Sequence, residues 1–475
     1  MYIPFKQSIK KTFPHSFQKL RAFKDQCVIE GSTLKQVGVI RILKQFFCTP
    51  QKWKTELPLQ SIRKLHVNET SLETLRASGV SLKQGGHAVY FSPESINKTS
   101  LKNIRDYMPC DAGIKIVERR GVIVTPYAAS DKTCLSHTYM SPSHKDLMLV
   151  HGIFSSMGLG PRLYDLVEIG FENGDVHVAY IIQHIQGEAC LDKKKCELFL
   201  EKIKELEKSK ILKLINWNGY KDMDFDCPSC NGNLICDAES GQLKYVDLQN
   251  FALDNYYHYL KNISIQASKN SHFGQKSYLL GGEYLYQEVP GLNLGAKRSP
   301  AVRFETFKKL LQKSGFSLED KFVMDVGCNM GLMGAQYLKD GAAWLHGFDM
   351  PNVVSSTEKI LTAIGCTRFS TTGLTMSEDV SLIQRLPQNL KDRLEGCVIS
   401  YLAIRGHIGW IKELGEIPWD FMLYEGHQEE DKVASHQFIT QLSQIKPCSI
   451  VSEGWISDAN SSPRYVAIIK SDCKK

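Results

Sequence analysis

The sequence predicts an α/β protein in which a parallel sheet flanked by helices follows an α+β domain of two lobes. Two observations predict this. From residue 322 to the C-terminus, apolar strand patterns alternate with helical segments and end in two strands joined by a polar turn. Such alternation builds a parallel sheet with helices on both faces. Between residues 82 and 250, several strand patterns are instead mixed with two helical segments.

The length and amino-acid composition of the chain limit the class of protein it can be. The chain has 475 residues, of which 43% are apolar, so about two to four domains with real cores are expected. The 58 Lys and Arg against 51 Asp and Glu permit an anionic partner, but no nucleic-acid signature is present. The 14 scattered cysteines indicate reduced thiols in a cytoplasmic protein rather than a disulfide framework. No apolar run has the length of a membrane span.

Residues 1–75 form a basic N-terminal extension without a catalytic pattern. Between residues 5 and 20, apolar side chains recur at helical spacing with lysines between them. A basic amphipathic helix of this kind can rest on an anionic membrane surface, so peripheral membrane contact is one expectation. The alternative is a helix that packs on its own domain and leaves its basic face in solvent.

The stretch FVMDVGCNMGLMGAQYL, residues 322–338, organises the C-terminal half. A strand ends in Asp325 and runs into a turn with Gly327 and Gly331, and a helical segment follows. Glycine lets the backbone approach a ligand closely, and a helix N-terminus offers unpaired N–H groups. The next strand ends in Asp349, about 20 residues beyond the turn, where a carboxylate suits ribose hydroxyls.

The pattern DxGCxxG resembles the first motif of class I S-adenosylmethionine (SAM) methyltransferases. The alternative is an ordinary strand-to-helix turn in another nucleotide-binding domain. The resemblance implies a Rossmann-like sheet of seven strands over residues 263–475, closed by a hairpin. It also implies which residues bind SAM: Asp325, Gly327, Cys328, Asn329, Gly331, Asp349, Met350 and Glu378. The segment before the helix at residues 301–314 could close over SAM through Tyr284, Tyr286 or Arg298.

Methyl transfer to a hydroxyl or an amine needs a group that removes a proton. Ligands of open α/β sheets lie at the carboxyl ends of the strands. His407 follows the fourth strand and is our first choice of base, with Glu425 and His427 at the end of the fifth strand next. A structural, hydrogen-bonded histidine is the alternative. The N/D-PP-Y signature of many amino-methylating enzymes is absent, which favours an oxygen or another small-molecule acceptor.

The preceding domain, residues 76–262, contains a second set of candidate residues. Gly85 and Gly86 precede an alternating strand, and Lys115 lies inside the strand pattern AGIKIVE. Further on, GNLICD contains Asn233, and YVDLQNF contains Asp247. This order resembles the protein kinase-like fold, in the small form seen in aminoglycoside and sugar phosphotransferases.

The kinase-like resemblance implies an ATP and magnesium site. Lys115 would contact the phosphates of ATP, Asn233 and Asp247 would hold Mg²⁺, and Asp226 would accept the proton of the substrate hydroxyl. Three departures matter. Asp226 and Asn233 are seven positions apart where the family has five; Asn231 keeps the spacing but fits the following strand less well, and Asp224 is a second possible base. The acidic partner that the family pairs with the lysine is not evident, and Asp146 is the best candidate. The helical lobe that usually follows is also shortened.

Together these patterns predict a bifunctional enzyme. We expect SAM-dependent methylation of a hydroxyl or phosphate on a carbohydrate or other small molecule, coupled to phosphorylation by the kinase-like domain. The alternative is a methyltransferase whose inactive kinase-like domain binds a protein or glycan partner.

Overall fold

The computed structural model describes most of the chain. The described residues are 27–29, 57–60, 62–77, 83–85, 88–105, 107–117, 122–129, 132–140, 144–214, 233–248, 251–271, 284–427, 430–457 and 463–472. Asp226, Asp224, Asn231, Gly86 and the basic stretch 1–24 lie outside these ranges, so the roles predicted for them stay predictions. Within these ranges, every helix is too short or too polar to cross a bilayer.

In the N-terminal half, strands outnumber helices. The strands are β1 (Cys27–Ile29), β2 (Arg63–His66), β3 (Lys83–Gly85), β4 (Ala88–Phe91), β5 (Ala112–Val117), β6 (Val122–Ala129), β7 (Lys132–Met140), β8 (Leu163–Gly170), β9 (Val176–Gln183), β10 (Gly187–Ala189), β11 (Leu212–Leu214), β12 (Leu234–Asp237), β13 (Leu243–Tyr245) and β14 (Phe251–Leu253). The helices are α1 (Leu72–Ala77), α2 (Pro93–Asn97), α3 (His144–Ser156), α4 (Lys193–Lys208) and α5 (Tyr256–Asn270).

In the C-terminal half, strands and helices alternate as predicted. The strands are β15 (Tyr284–Gln287), β16 (Gly295–Arg298), β17 (Phe322–Val326), β18 (Trp344–Asp349), β19 (Phe369–Gly373), β20 (Cys397–Leu402), β21 (Trp419–Glu425), β22 (Cys448–Ile456) and β23 (Arg464–Ser471). The helices are α6 (Pro300–Ser314), α7 (Leu332–Lys339), α8 (Pro351–Ala363), α9 (Leu382–Arg385), α10 (Gln388–Lys391), α11 (Arg405–Ile408) and α12 (Lys432–Ile445).

Seven C-terminal strands form one sheet in the order β19-β18-β17-β20-β21-β23-β22. The pairs between β17, β18, β19, β20 and β21 are all parallel. β23 runs antiparallel to both of its neighbours, which confirms the predicted closing hairpin. All five residues of the central strand β17 are buried, as expected for a parallel strand covered on both faces. Asp325 lies between Gly347 and Ser400 in register, so the carboxyl ends of these strands meet at one edge.

A six-stranded sheet in the order β2-β8-β9-β5-β4-β3 dominates the N-terminal half. Its pairs are antiparallel except for β2 with β8. The predicted strand around Lys115 is β5, beside β4 and β9. The boundary between residues 75 and 76 stays a prediction, although β2 joins this sheet from its N-terminal side. The hairpin β6–β7 before α3 was not anticipated.

A buried carboxylate lies where the two halves meet. Asp165, which is 1% exposed, accepts hydrogen bonds from Arg63 Nε at 2.8 Å and from Thr367 Oγ1 at 3.0 Å. Arg368 Nε lies 3.8 Å from the same carboxylate. Asp165 and Arg63 belong to the six-stranded sheet, whereas Thr367 and Arg368 lead into β19. Since a buried charge is costly unless it is paired, these contacts fix the junction.

Helices α3 and α8 approach each other closely across this junction. A Cβ added at Gly152 of α3 would collide with the backbone carbonyl oxygen of Thr362 in α8. One residue further along, the Tyr256 hydroxyl of α5 donates to the carbonyl of Ala363. The backbone N–H of Leu59 donates to the Ile364 carbonyl at 3.0 Å. The N-terminal half therefore packs directly on the helix that follows β18.

We expect Gly152→Ala to lower the free energy of unfolding by about 2 kcal/mol, because overpacking against a backbone carbonyl cannot be relieved by a rotamer change. Urea denaturation measures the effect. Gly454→Ala is the matched control, since a Cβ there would meet only the Leu310 side chain, at 3.7 Å. Equal unfolding free energies for the two variants would contradict the described contact between α3 and α8.

Candidate functional site

A cavity of about 350 Å³ opens at the carboxyl edge of the seven-stranded sheet. Its walls come from the glycine turn after β17, the ends of β18, β20 and β21, the segment after β19, and the elements β15, β16, α6 and β23. The lining residues that were predicted from the sequence are Asp325, Gly327, Cys328, Asn329, Asp349, Met350, His407, His427, Tyr286 and Arg298. The sequence motif and the cavity therefore coincide.

The turn between β17 and α7 needs its glycines. Gly327 and Gly331 have φ angles of 77° and 76°, in the left-handed region that side chains rarely adopt. A Cβ at Gly331 would also lie 2.6 Å from Thr357 Cγ2 of α8. Asn329 between them has φ 50°, which asparagine tolerates better than most residues. The tight turn brings the N-terminus of α7 to the cavity, although Gly331 itself does not line it.

Two carboxylates border this turn. Asp325 is 3% exposed and accepts a hydrogen bond from Ser400 Oγ at 2.7 Å. Burial raises its pKa to about 6, against the opposing effects of Ser400 and Arg303. Asp349 accepts hydrogen bonds from the backbone N–H groups of Asn329 and Met350, both at 2.8 Å, and burial raises its pKa. Both carboxylates thus face the cavity in fixed positions.

Glu378, which was predicted to contact the cofactor, does not line this cavity. Its carboxylate packs beside Gly409, where an added Cβ would overlap it. The chain leaves β19 at Gly373, so Thr375 and Met376 line the cavity instead. The sequence predicted that the acidic residue Glu378 would form this wall of the cavity. The residues that line the wall, Thr375 and Met376, instead come two to three positions before it.

The two predicted histidines lie together in the lining of the cavity. The rings of His407 and His427 meet edge to face with 5.4 Å between their centroids. His407 is exposed on the short helix α11, and His427 follows β21 and is half-buried. An added Cβ at Gly406 would lie 3.4 Å from His427. Either imidazole can therefore reach a ligand in the cavity.

Glu425 has surroundings that do not suit a base. It is fully buried, and its oxygens lie 2.7 Å from Arg298 Nη2, 2.5 Å from Arg303 Nη2 and 3.0 Å from Arg464 Nη1. Burial alone raises the pKa of Glu425, but the charges of the three arginines outweigh it and bring the pKa to about 2. A carboxylate with so low a pKa accepts protons poorly near neutrality, so Glu425 holds the arginines in place instead.

In the N-terminal half, two of the predicted kinase-like residues meet. Lys115 Nζ lies 3.4 Å from Asp247 Oδ1, with both side chains partly exposed. Asn233 and Asp247 lie at one end of the hairpin β12–β13, where the Val246 N–H donates to the Asn233 carbonyl at 2.9 Å. The short hairpin predicted between them is confirmed. Among the described residues, no three His, Cys, Asp or Glu side chains form a cluster suited to a metal ion.

Two further side chains lie beside Lys115, and neither was predicted from the sequence. His151 of α3 is buried, and burial followed by the charge of Lys115 lowers its pKa to about 3, so it is neutral. The Tyr90 hydroxyl is 2.7 Å from His184 Nδ1, and it would overlap a Cβ at Gly113. Gly113 and Lys115 share one face of β5, because alternate residues of a strand point the same way. Tyr90 therefore covers that face next to Lys115.

Several cavity residues carried no recognisable sequence signal. Arg303 on α6 and Arg464 on β23 are separated from the motif in sequence, and basic residues on a helix or at a strand start are common. Ala403 lines the cavity and has a φ angle of 54°, in the left-handed region. A glycine at this position would have indicated that conformation in the sequence, whereas an alanine does not. Gln287 and Lys297 belong to the segment that was predicted to close over the cofactor.

Comparisons with known proteins give fold likenesses only. A magnesium protoporphyrin IX methyltransferase from Synechocystis PCC 6803 with bound SAM is 14% identical, with 45% of this chain and 97% of that chain covered at a TM-score of 0.28. A Listeria monocytogenes protein described as a SAM-dependent methyltransferase is 13% identical (36% and 99% covered, TM-score 0.27). A Lactococcus lactis protein described as a hemolysin is 12% identical (35% and 85%, TM-score 0.25). No protein-family model and no curated protein matches the chain. At these TM-scores the likenesses carry no argument, so function is argued from the geometry above.

We expect Glu425→Gln to lower the free energy of unfolding by about 3–5 kcal/mol, because it leaves three guanidinium groups without their shared buried carboxylate. Chemical denaturation at pH 7 measures the loss. Glu416→Gln serves as the control, since Glu416 is exposed and its replacement should change stability by less than about 0.5 kcal/mol. A Glu425→Gln protein as stable as this control would contradict the ion network.

Proposed function

We propose that the C-terminal half is a SAM-dependent methyltransferase that acts on a hydroxyl or phosphate of a carbohydrate or another small molecule. One observation carries the proposal. A glycine turn at the end of the central parallel strand and two fixed carboxylates, Asp325 and Asp349, border a single cavity at the carboxyl edge of the sheet. In open α/β sheets this edge is where ligands bind.

The residues around the turn fit SAM in size and in chemistry. The cavity of about 350 Å³ lies within the usual range for small-molecule sites. Asp325 faces the cavity from a buried position and suits the ammonium of the methionine part. Asp349, held by two backbone N–H groups, suits the ribose hydroxyls. When bound, SAM supplies an activated methyl group. The residues of the chain bind and orient SAM and the acceptor, and they remove the proton of the acceptor hydroxyl.

The histidine pair is the proposed source of base catalysis. His407 takes the proton of an acceptor hydroxyl through an imidazole nitrogen, and His427 supports or replaces it from 5.4 Å away. Alignment of the acceptor with the methyl group does the remaining work, since holding two reactants in line removes much of the barrier. Glu425 contributes by fixing the arginines of the opposite wall.

The affinity for SAM should fall about tenfold between pH 7 and pH 5. Asp325, with its pKa near 6 in the free protein, is mostly ionised at pH 7 and mostly protonated at pH 5, and the ammonium of SAM favours the ionised form. Calorimetric titration with SAM at both pH values measures this. Asp325→Asn should bind weakly at both pH values, whereas Asp392→Asn, an exposed control, should follow the wild type. A pH-independent affinity would remove Asp325 from the ammonium site, and absence of SAM binding would refute the methyltransferase proposal.

A second activity is favoured by the contact between Lys115 and Asp247. We propose that the N-terminal half is a kinase-like domain that binds ATP, with Lys115 on its phosphates. Asn233 and Asp247 offer hard oxygen ligands at one end of a hairpin, which fits Mg²⁺ chemically, and the ion would neutralise phosphate charge. Without nucleotide, Lys115 and Asp247 neutralise each other.

The alternative, a kinase-like domain that only binds a protein or glycan, is favoured by Tyr90. Its hydroxyl is held by His184 and its ring lies over Gly113, so it occupies the strand face beside Lys115. A nucleotide that stacks on this face must displace it. The neutral His151 near Lys115 also differs from the acidic partner that the resemblance implies.

Titration with ATP and Mg²⁺ separates these two proposals. We expect saturable binding that is lost in Asp247→Asn, because the carboxylate binds the metal, and retained in Asp237→Asn at the other end of the hairpin. Tyr90→Ala should tighten binding by clearing the face of β5. If neither the wild type nor Tyr90→Ala binds ATP, the nucleotide site is refuted and the recognition role is favoured.

A further inference from the structure

One end of the cavity is unusually cationic. Lys297, Arg298, Arg303 and Arg464 all line it, and they come from β16, α6 and β23. Along the sheet edge, β23 is three strands from β17, which is about 14 Å at the usual spacing between strands. The Arg464 guanidinium itself reaches Glu425 at the end of β21, which is two strands, or roughly 10 Å, from β17. The β23 end of the cavity is therefore distinct from the ends of β17 and β18, which carry the two carboxylates proposed to bind SAM.

Three of these cations, Arg298, Arg303 and Arg464, contact the one buried carboxylate of Glu425. SAM carries a sulfonium, an ammonium and a carboxylate, so its binding adds one positive charge to a cavity with a cationic wall. A ligand that carries negative charge is favoured beside such a wall, because poorly solvated charge is costly unless it is compensated.

Arg464 is the side chain best placed to receive that ligand. Its side chain is 11% exposed, and its Nη1 lies 3.0 Å from Glu425. Its Nε is buried without a hydrogen-bond partner. Guanidinium groups bind phosphate and carboxylate through two parallel N–H donors. Arg464 thus has donors to offer beyond its ion pair.

Gln287 gives an independent sign of a polar ligand in the same cavity. It lines the cavity, is 5% exposed, and its Oε1 is buried without a hydrogen-bond partner. Buried carbonyl oxygens are rarely left unpaired, so this atom fits a hydroxyl or amine donor of a bound molecule. A ligand that carries both an anionic group and a hydroxyl satisfies the two features together.

We propose that the methyl acceptor is an anionic molecule, with a phosphate monoester or a carboxylate bound by Arg464 and supported by Lys297 at the β23 end of the cavity. This rests on the proposed methyltransferase function. SAM occupies the end at Asp325 and Asp349, and the anionic group anchors the acceptor so that its nucleophile lies near His407. The acceptor class is thereby narrowed from neutral sugars to sugar phosphates, sugar acids and similar anions.

The test uses inorganic phosphate and acetate as probes of the full chain. Each is titrated by calorimetry at constant ionic strength, with and without saturating S-adenosylhomocysteine (SAH). We expect saturable binding of phosphate, acetate or both that persists with SAH bound. Arg464→Met should weaken it at least tenfold and Arg464→Lys less, since lysine keeps the charge without the paired donors. Arg385→Met, an exposed arginine on α9, is the control and should match the wild type.

Each other outcome overturns the proposal in a recognisable way. Displacement of both anions by SAH would show that the cationic end serves the cofactor's carboxylate. If Arg464→Met still binds phosphate or acetate as tightly as the wild type, Arg464 is excluded as the anchor. An unchanged affinity for SAH shows that the site of this variant is folded. SAH binding without any saturable anion binding would refute the anionic acceptor alone. Failure of SAH itself to bind would refute the methyltransferase function as well.

Discussion

The buried charge of Glu425 constrains the C-terminal half more than any other interaction. A carboxylate without solvent must be compensated, and here three arginines from β16, α6 and β23 converge on it. These segments are distant in sequence, and the ion network holds them against the end of β21. The segment that precedes the sheet is thereby tied to the hairpin that closes it. The cationic wall of the cavity is the other face of the same network.

The fold of this half could be predicted because its signals are local. Strand patterns alternate with helix patterns, and the connections between them are short. A turn that requires glycine marks the carboxyl end of the central strand. Asp325, Asp349 and the histidines followed from their positions at strand ends. The arginine network could not be predicted, because no periodicity states which distant cation will reach a buried carboxylate. For the same reason the sequence offers Glu425 as a further candidate base after His407, whereas its surroundings make it an anchor for the arginines.

The N-terminal half shows the same division between local and distant information. The strand around Lys115 and the hairpin that leads to Asp247 follow from short patterns, and the structure brings the two side chains together. The side chain of Tyr90 lies across a neighbouring strand, a contact that depends on sheet register rather than on sequence spacing. The proximity of the neutral His151 to Lys115 likewise appears only once α3 is packed. The residues that decide between nucleotide binding and recognition are thus the ones that sequence patterns identify least well.

Asp165 has a consequence for how such a protein can change over time. Its carboxylate is satisfied jointly by Arg63 from one sheet and by Thr367 and Arg368 from the approach to the other. Exchange of the C-terminal half for an unrelated domain would leave Asp165 with Arg63 as its charged partner, and exchange of the N-terminal half would remove Asp165 from Arg368. The two halves are therefore expected to be inherited as a pair, because each supplies partners for polar groups of the other.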